Sequence, residues 1–359
     1  MTRSTPPRPL TDLHGRTVNY IRLSVTDRCN LRCFYCRAGK DTPFMPHEEI
    51  LRYEDLLELI AIAEELGVRK VRLTGGEPLV RRDFMDFLET AVARHPRMDF
   101  RLTTNGVLLA PVAPRLKDLG LKAVNISLDS LDPKRFAEVT GLDAFCAVWG
   151  GIEACMNAGI PVKINAVAMR GVNETDLPAF IELARKRPIH VRFIEFMPVG
   201  GGTTWERERF WSSDDVLAEA RKHADLIPMP GPPQNGDTDV DAGEREGREA
   251  TSYTSGPARM FRIAGGLGAI GVISPLTNHF CDACNRLRIS SDGRLRTCLF
   301  SDREYKLRPA LRHPKLGRES VKKIITQCGA IKPLGYELLK QLTRERNAVC
   351  NKRMSSIGG

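Results

Sequence analysis

The first two thirds of the chain alternate between short β-rich runs and longer amphipathic stretches. Runs rich in β-branched residues predict six strands, at 18–26, 70–75, 99–105, 122–129, 161–167 and 190–197. Stretches with apolar residues about 3.6 positions apart predict six helices, at 53–66, 83–94, 111–119, 145–158, 175–187 and 212–223. Ser212 or Ser213 is the predicted N-cap of the last helix. Six β–α units in series predict a parallel sheet with right-handed crossovers, either open or curled into a barrel.

Polar residues alternate with apolar ones inside several of these strands. Arg22 and Ser24 interrupt the first strand, and Asn125 and Ser127 interrupt the fourth. Helices cover both faces of a doubly wound sheet, so its strands read as nearly continuous apolar runs. Alternation in several strands fits better with a barrel that encloses a polar interior. We therefore predict an α/β fold, an incomplete (β/α)6 TIM-like barrel, over residues 13–228.

The segments that flank the predicted barrel differ from it in composition. Residues 1–12 are basic and Pro-containing with no apolar core of a signal peptide, which predicts a disordered N-terminal arm. Residues 229–256 are rich in Pro, Gly and acids, which predicts a flexible insertion. Residues 257–352 are expected to form a C-terminal extension, followed by a tail, 353–359, that ends in Gly-Gly.

Charge and cysteine content narrow the chemistry of this barrel. The chain has 54 Lys and Arg against 44 Asp and Glu, a net charge of +10 that favours an anionic partner such as nucleic acid or a nucleotide. No apolar run approaches the roughly 18 residues of a membrane helix, and we expect a cytoplasmic protein without membrane contact. In a reducing compartment, ten cysteines indicate metal or redox chemistry rather than disulfides.

Three cysteines with C-x3-C-x2-C spacing follow the first predicted strand. Cys29, Cys33 and Cys36, the first cysteine trio, stand where a barrel places its chemistry, after the carboxyl end of a strand. Zinc requires four ligands, and the nearest His, His47, does not complete the set. Three thiolates on a four-iron cluster leave one iron open for a small molecule. The alternatives are chance clustering of the three cysteines and a zinc site completed by a distant ligand.

This spacing, with an aromatic residue before the last Cys, resembles the radical S-adenosylmethionine (SAM) superfamily. The segment "TGGEPLV" at 74–80 resembles the Gly-Gly-Glu-Pro motif of the same superfamily. The resemblance implies a 4Fe–4S cluster on the first trio, with SAM bound at its open iron. The implied SAM contacts are Tyr35, Gly76, Ser127 and Met197. The alternative is that Ser127 is only a polar barrel residue and that Met197 only fills the core.

A second trio, Cys281, Cys284 and Cys298, has C-x2-C-x13-C spacing. A zinc ribbon would need another Cys soon after Cys298, and the following residues contain none. A second cluster with an open iron is the favoured interpretation, and a zinc site completed by His279 is the alternative. Arg286 lies close by on a predicted strand.

Arg286 and Arg288 alternate with Leu287 and Ile289, which places both guanidinium groups on one strand face beside the second trio. Their forked, permanently charged donors suit a phosphate. A solvated strand face is the alternative for this pair.

Two cysteine trios on such a barrel resemble the GTP 3′,8-cyclase family of molybdenum cofactor biosynthesis, the molybdopterin biosynthesis protein A type. The similarity covers most of residues 10–300, including "LTGGEPLVRRD", "LTTNG", "NISLDSL" and "EFMP", and returns at the terminal "MSSIGG". It implies a lyase with two 4Fe–4S clusters and SAM. A 5′-deoxyadenosyl radical abstracts hydrogen from C3′ of GTP, C3′ attacks C8, and (8S)-3′,8-cyclo-7,8-dihydroguanosine 5′-triphosphate forms.

The same resemblance implies site residues and partners. No side chain acts as an acid or base, and Gly358 and Gly359 support catalysis from the tail. The expected partners are GTP, a second copy in a homodimer, an external electron donor and the next pathway enzyme, cyclic pyranopterin monophosphate synthase. No nucleic acid is expected. The implied GTP contacts are Arg22, Arg72, Thr103, Lys163, Arg286, Leu287 and Arg288.

Two other functions compete with this one. The first is a peptide-modifying radical SAM enzyme whose second cluster serves another substrate. The second is a zinc-containing protein that binds nucleic acid through its basic surface. Odd ligand counts oppose it, and so does an aromatic content of only 6%, which leaves few rings for base stacking.

Overall fold

The computed structural model of the chain describes residues 9–36, 43–200, 204–230, 256–345, 350 and 354–357. The strands are β1 (Leu10–Thr11), β2 (Thr17–Val18), β3 (Tyr20–Ser24), β4 (Lys70–Thr74), β5 (Asp99–Thr104), β6 (Val124–Ser127), β7 (Val162–Ala168), β8 (His190–Glu195), β9 (Leu226–Pro228), β10 (Arg259–Ile263), β11 (Ala269–Ile273), β12 (Arg286–Ile289), β13 (Arg294–Arg296) and β14 (Tyr305–Lys306). The α-helices are α1 (Tyr53–Glu65), α2 (Phe84–Arg94), α3 (Ala113–Asp118), α4 (Pro133–Thr140), α5 (Phe145–Asn157), α6 (Leu177–Lys186), α7 (Ser213–Ala220), α8 (Arg308–Arg312), α9 (Gly317–Ala330), α10 (Gly335–Glu345) and α11 (Met354–Ile357).

Among the described residues, twelve strands form one sheet whose centre is parallel. Strands β3 to β8 pair in chain order, as the six predicted β–α units require. At either end a strand from the C-terminal third continues the parallel pairing, β12 beside β3 and β11 beside β8. Antiparallel strands then extend both ends, β13 and β14 on one side and β10 and β9 on the other. The predicted fold class, an incomplete TIM-like barrel, is confirmed.

The alternation within the strands corresponds to the two faces of this sheet. In β7, Val162 and Ile164 are buried, while Lys163 and Asn165 are half-buried and line a cavity. The apolar face packs under the helices, where Leu56 and Ile60 of α1 are buried in the main core. The interior of the barrel is therefore polar, as the pattern predicts.

Helix boundaries follow local signals in the sequence. Ser212 caps α7, because its hydroxyl accepts a hydrogen bond from Asp215 N at 3.1 Å, as predicted. Helix α4 was not predicted, although its signal is present. Pro133 occupies its first turn, and Asp132 accepts a hydrogen bond from the backbone N–H of Arg135 at 2.7 Å.

The predicted N-terminal arm is wrong for residues 9–12. Leu10 and Thr11 pair with β2, and Leu10 is buried against α9, where a Cβ on Gly329 would lie 2.6 Å from its Cδ2. The backbone N–H of Leu13 donates to Ala330 O at 2.9 Å, which extends this packing. Because Leu10 is buried, residues 9–12 pack on the protein instead of forming the predicted disordered arm. Residues 1–8, and residues 231–255 of the predicted insertion, lie outside the described residues.

No single helix in the described part of the chain is long and apolar enough to cross a membrane. Helices α4 and α5 reach the length and apolar composition of a membrane span only when they are taken together, and they are bent by 105° at the break between them.

Candidate active site

Both cysteine trios open into one cavity of about 380 Å³ inside the barrel. The first trio lies on the loop after β3, and the second lies on the loop before β12 and directly after β13. The polar faces of β3 to β8 line the space around them. The structure therefore brings together two groups of thiols that are separated by about 250 positions in the sequence, 29–36 and 281–298.

The sulfurs of each trio are not arranged around one ion. Among the described residues, no three His, Cys, Asp or Glu side chains lie close enough together to hold a single metal ion. Each thiolate of a four-iron cluster binds a different iron, so its sulfurs are spaced more widely than the ligands of one zinc ion. His279 instead hydrogen-bonds Pro275 O through Nδ1 at 2.9 Å and stacks on Tyr336. The described residues therefore show no preformed zinc site at either trio.

The backbone around the first trio is fixed by polar contacts. The sulfur of Cys29 accepts from Leu31 N at 3.4 Å and from Asn105 Nδ2 at 3.6 Å. Cys36 N donates to Cys33 O at 3.0 Å. The loop therefore keeps its shape from its own turns and from a residue that follows β5.

The Gly-Gly turn after β4 packs against this loop. A Cβ on Gly75 would lie 2.4 Å from Thr26 O, and one on Gly76 would lie 2.2 Å from Arg28 O. The resemblance implies a SAM contact at this turn through Gly76, which follows Gly75. Both do line the cavity, but the group that excludes a side chain is the backbone of the cysteine loop.

Glu77 connects the same turn to the end of β5. Its buried carboxylate accepts from Leu79 N at 3.0 Å, Thr104 Oγ1 at 2.9 Å and Asn105 N at 2.6 Å. Burial raises its pKa to about 7, against the effect of the three hydrogen bonds. Through Asn105, which contacts the sulfur of Cys29, Glu77 holds the turn and the first trio in register.

Asp129, which sequence reasoning did not assign to the site, anchors the predicted SAM-contacting Tyr35. Tyr35 Oη donates to Asp129 Oδ2 at 2.6 Å, and Val167 N donates to Oδ1 at 2.8 Å. Burial raises the pKa of Asp129 to about 6. The signal for Asp129 was its place at the end of the alternating strand β6. All four predicted SAM contacts line the cavity: Tyr35, Gly76, Ser127 and Met197.

Strand register places four arginines side by side across one wall. Arg288, Arg22, Arg72 and Arg101 are successive partners in β12, β3, β4 and β5. Arg72 donates through Nε to the hydroxyl of Tyr20 at 2.5 Å. Burial alone would raise the pKa of Tyr20, but Arg72 and the other nearby arginines lower it to about 8. This wall carries a strongly positive potential.

The adjoining strands β7 and β8 add three more basic side chains. Burial and neighbouring cations lower the pKa of Lys163 to about 7, of His190 to about 4 and of Arg192 to about 9. Within the described residues, Nε and Nη2 of Arg192 and Oδ1 of Asn125 are buried without a hydrogen-bond partner. A polyanion in the cavity would relieve both the charge repulsion and the missing hydrogen bonds.

Most of the predicted GTP contacts line this cavity, namely Arg22, Arg72, Thr103, Lys163, Arg286 and Arg288. The exception is Leu287, whose side chain is fully buried in the hydrophobic core. Six further basic residues line the cavity and were not predicted, and four of them lie on β4, β5 and β8. The sequence could have indicated these four, because they lie on the same face of the sheet as the predicted residues. These residues are Lys70, Arg101, His190 and Arg192.

The C-terminal segment approaches the cavity from the end of β8. Gly200 N donates to Cys350 O at 2.9 Å, and Met354 lines the cavity. Ile357 is buried in a second apolar cluster that also contains Val199. Gly358 and Gly359, predicted to support catalysis, lie outside the described residues.

Comparison with known proteins adds family relationships to this geometry. The radical SAM superfamily model matches residues 23–184, and the model described as Molybdenum Cofactor Synthesis C matches residues 239–338. The GTP 3′,8-cyclase of Alkaliphilus oremlandii is 38% identical over 97% of this chain and 99% of its own length. That of Thermodesulfovibrio yellowstonii is 40% identical with the same coverage.

Among solved structures, SuiB of Streptococcus suis bound to S-adenosylmethionine aligns with a TM-score of 0.57. Its sequence identity is 15%, and the alignment covers 90% of this chain and 69% of SuiB. This likeness concerns the fold alone.

Proposed function

The chain belongs to the GTP 3′,8-cyclase family of radical SAM enzymes, and from that premise we propose how its cavity divides the work. The first trio holds the 4Fe–4S cluster that binds SAM, and the second trio holds another 4Fe–4S cluster that binds the guanine base. The observation that carries this proposal is the shared cavity of about 380 Å³, with both trios and a cationic wall facing it.

The residues around the first trio position SAM. When bound there, the reduced cluster supplies the electron that cleaves SAM to methionine and a 5′-deoxyadenosyl radical. Glu77 and Asp129 keep the cysteine loop in register with β4, β5 and β6. Gly76, Ser127 and Met197 line the space in which the rest of SAM would lie.

The cationic wall binds the triphosphate of GTP. Arg22 and Arg72 come from neighbouring strands and lie side by side, so their forked donors can share phosphate oxygens. Lys163 faces them from β7, and Arg286 and Arg288 connect the wall to the second trio. Thr103 Oγ1 accepts from Arg72 Nη1 at 3.3 Å, and the proposed contact of Leu287 is limited to its backbone.

With GTP held at both ends, its ribose lies between the two trios. The 5′-deoxyadenosyl radical takes the hydrogen atom from C3′ and becomes 5′-deoxyadenosine. The C3′ radical forms a bond to C8, and uptake of one electron and one proton gives the cyclised triphosphate. The enzyme is accordingly a lyase without a side-chain acid or base, and Gly358 and Gly359 support the reaction from the tail.

The proposal extends to partners and location. The reaction consumes electrons from outside the chain, so it requires an external donor. We propose a cytoplasmic homodimer whose product passes to cyclic pyranopterin monophosphate synthase. The reducing compartment is compatible with ten cysteines, none of which forms a disulfide in the structure.

Anaerobic incubation with GTP, SAM and a reductant tests the proposal. We expect 5′-deoxyadenosine and a cyclised nucleotide by mass spectrometry, and about eight irons per chain, the sum of two four-iron clusters. Cys281→Ala should retain SAM cleavage and lose cyclisation. Cys146→Ala, an exposed cysteine outside the cavity, is the matched control and should retain both.

Two outcomes would contradict this assignment. A protein that contains stoichiometric zinc and leaves GTP unchanged would favour the zinc alternative. Loss of SAM cleavage in Cys281→Ala, with normal iron at the first trio, would show that the two trios do not divide the work as proposed.

A further inference from the structure

The segment 332–336, which runs from the loop after α9 into the first turn of α10, contacts the second trio. The backbone of Gly335 and Tyr336 lies beside the sulfur of Cys281. A Cβ on Gly335 would lie 2.9 Å from the sulfur of Cys298 and 3.4 Å from that of Cys281, so no other residue fits there without displacing a sulfur. Every sulfur of the trio therefore has a neighbour in this segment, because Lys332 contacts the third, Cys284.

Lys332 is a buried lysine whose ammonium group contacts a sulfur. Lys332 is 2% exposed, and its Nζ donates a hydrogen bond to the sulfur of Cys284 at 3.4 Å. Within the described residues, Lys332 forms no ion pair with a carboxylate. Lysines are almost never fully buried unless they are paired, because an uncompensated buried charge is costly. Among the described residues, the sulfur of Cys284 is the side-chain acceptor that faces this ammonium group.

Arg16 fixes the position of Lys332 relative to the second trio. Its guanidinium donates through Nη1 to Cys281 O at 2.7 Å and through Nη2 to Lys332 O at 2.6 Å. Asp12 orients the guanidinium, with a distance of 2.6 Å from Nε to Oδ2. One buried side chain from the N-terminal hairpin thus binds both the cysteine loop and the lysine segment, so the contact between Lys332 and Cys284 is built into the fold.

We propose that Lys332 is a positioning residue of the second cluster, whose ammonium group donates to the Cys284 sulfur and raises the reduction potential of that cluster. The inference rests on the proposed second cluster. Reduction adds negative charge, and a nearby cation and an N–H···S hydrogen bond stabilise the reduced form more than the oxidised form. Removal of the cation therefore shifts the potential to more negative values.

The test uses the full-length chain with Cys29→Ala, Cys33→Ala and Cys36→Ala as the parent, so that all iron belongs to the second trio. Lys332→Met and Lys332→Arg are added separately to this parent, and Lys323→Met, at an exposed position on α9, is the matched control. Iron and sulfide are counted, and the potential is measured by anaerobic titration followed by electron paramagnetic resonance.

We expect about four irons per chain in the parent. Lys332→Met should keep them and titrate at a more negative potential, whereas Lys332→Arg and Lys323→Met should titrate with the parent. Loss of the cluster in Lys332→Met together with its retention in Lys332→Arg would also support the inference, since charge is then what the site requires.

The contrary outcomes separate the inference from the function on which it rests. An unchanged potential in Lys332→Met with full iron content would overturn the inference and leave the second cluster in place. Loss of the cluster in both Lys332 variants would reduce Lys332 to a packing role, which also overturns it. A parent without iron would overturn the second cluster itself, and the inference with it.

Discussion

Replacing Arg192 with methionine should change two measurable quantities in opposite directions. Arg192 lines the cavity wall, with Nε and Nη2 buried and lacking partners among the described residues. Burial and the neighbouring Arg72 lower its pKa from 12.5 to about 9. At about 1.4 kcal/mol per pKa unit, this fall corresponds to roughly 5 kcal/mol of unfavourable interaction in the protein without GTP.

Water in the open cavity screens part of this cost. We therefore expect Arg192→Met to raise the free energy of unfolding by about 1 to 3 kcal/mol, in line with other replacements of buried charge by apolar side chains. The same substitution removes charge-assisted hydrogen bonds to the triphosphate, each worth about 1.5 to 3 kcal/mol. The Kd for GTP should rise about 10- to 150-fold.

Urea unfolding without nucleotide and isothermal titration with GTP measure the two effects. Arg187→Met, an exposed arginine beyond the end of α6, is the matched control and should change neither quantity. A variant at position 192 that is less stable than the parent would refute the reasoning, because Arg192 would then be stabilising the fold. Unchanged GTP affinity would refute the assignment of the wall to the triphosphate.

Three further predictions concern other polar groups in and beside the cavity. Glu77→Gln places an amide N–H against Asn105 N and should lower the free energy of unfolding by about 1 to 3 kcal/mol in urea, whereas the exposed Glu138→Gln should not. Tyr35→Phe leaves Asp129 Oδ2 without the donor at 2.6 Å, and should slow formation of 5′-deoxyadenosine about tenfold, since such a hydrogen bond is worth about 1.4 kcal/mol; an unchanged rate would exclude this positioning role. The pKa of His190 is lowered from 6.5 to about 4, so the unfolded chain binds more protons between these values and stability falls as pH falls through this window. His190→Gln should therefore remove at most about 2 kcal/mol of the stability lost between pH 7 and pH 5, and an unaltered pH profile would count against this shift.

The central barrel was predictable because each of its units carries a local signal. The alternation of Asn125 and Ser127 with apolar neighbours reports a polar interior, and the structure confirms it. Helix α4 has an equally local signal in Asp132 and Pro133, and it was missed because the segment is short. Strands and helices whose signals lie in their own residues are therefore the part of the fold that the sequence can predict.

The two strands that extend the parallel sheet were not predictable in the same way. Strands β11 and β12 read as strands, but nothing in their residues states that one pairs with β8 and the other with β3. Pairing between distant segments depends on the complementarity of whole surfaces. The same limit applies to the site. The sequence shows which residues share one face of a strand, but it does not show which residues from distant segments lie next to each other.

Lys332 illustrates that limit most clearly. The surrounding sequence "AIKPLGY" has no alternation, and its lysine looks like any solvated residue after a helix. Its contact with Cys284 spans 48 positions, and the clamp from Arg16 spans 316. By contrast, the missed residues Lys70 and Arg101 could have been inferred from Arg72. Arg101 is its partner in β5, and Lys70 lies two positions before it on the same face of β4.

The pairing of β3 with β12 has a consequence for biosynthesis. Asn19 and Asn285 lie beside the paired ends of these strands and are 266 positions apart. The edge of β3 therefore stays without its partner strand until β12 has been synthesised. An exposed parallel edge of this kind invites association with other nascent chains. Expression at lower temperature, with chaperones in excess, should accordingly increase the yield of correctly assembled protein.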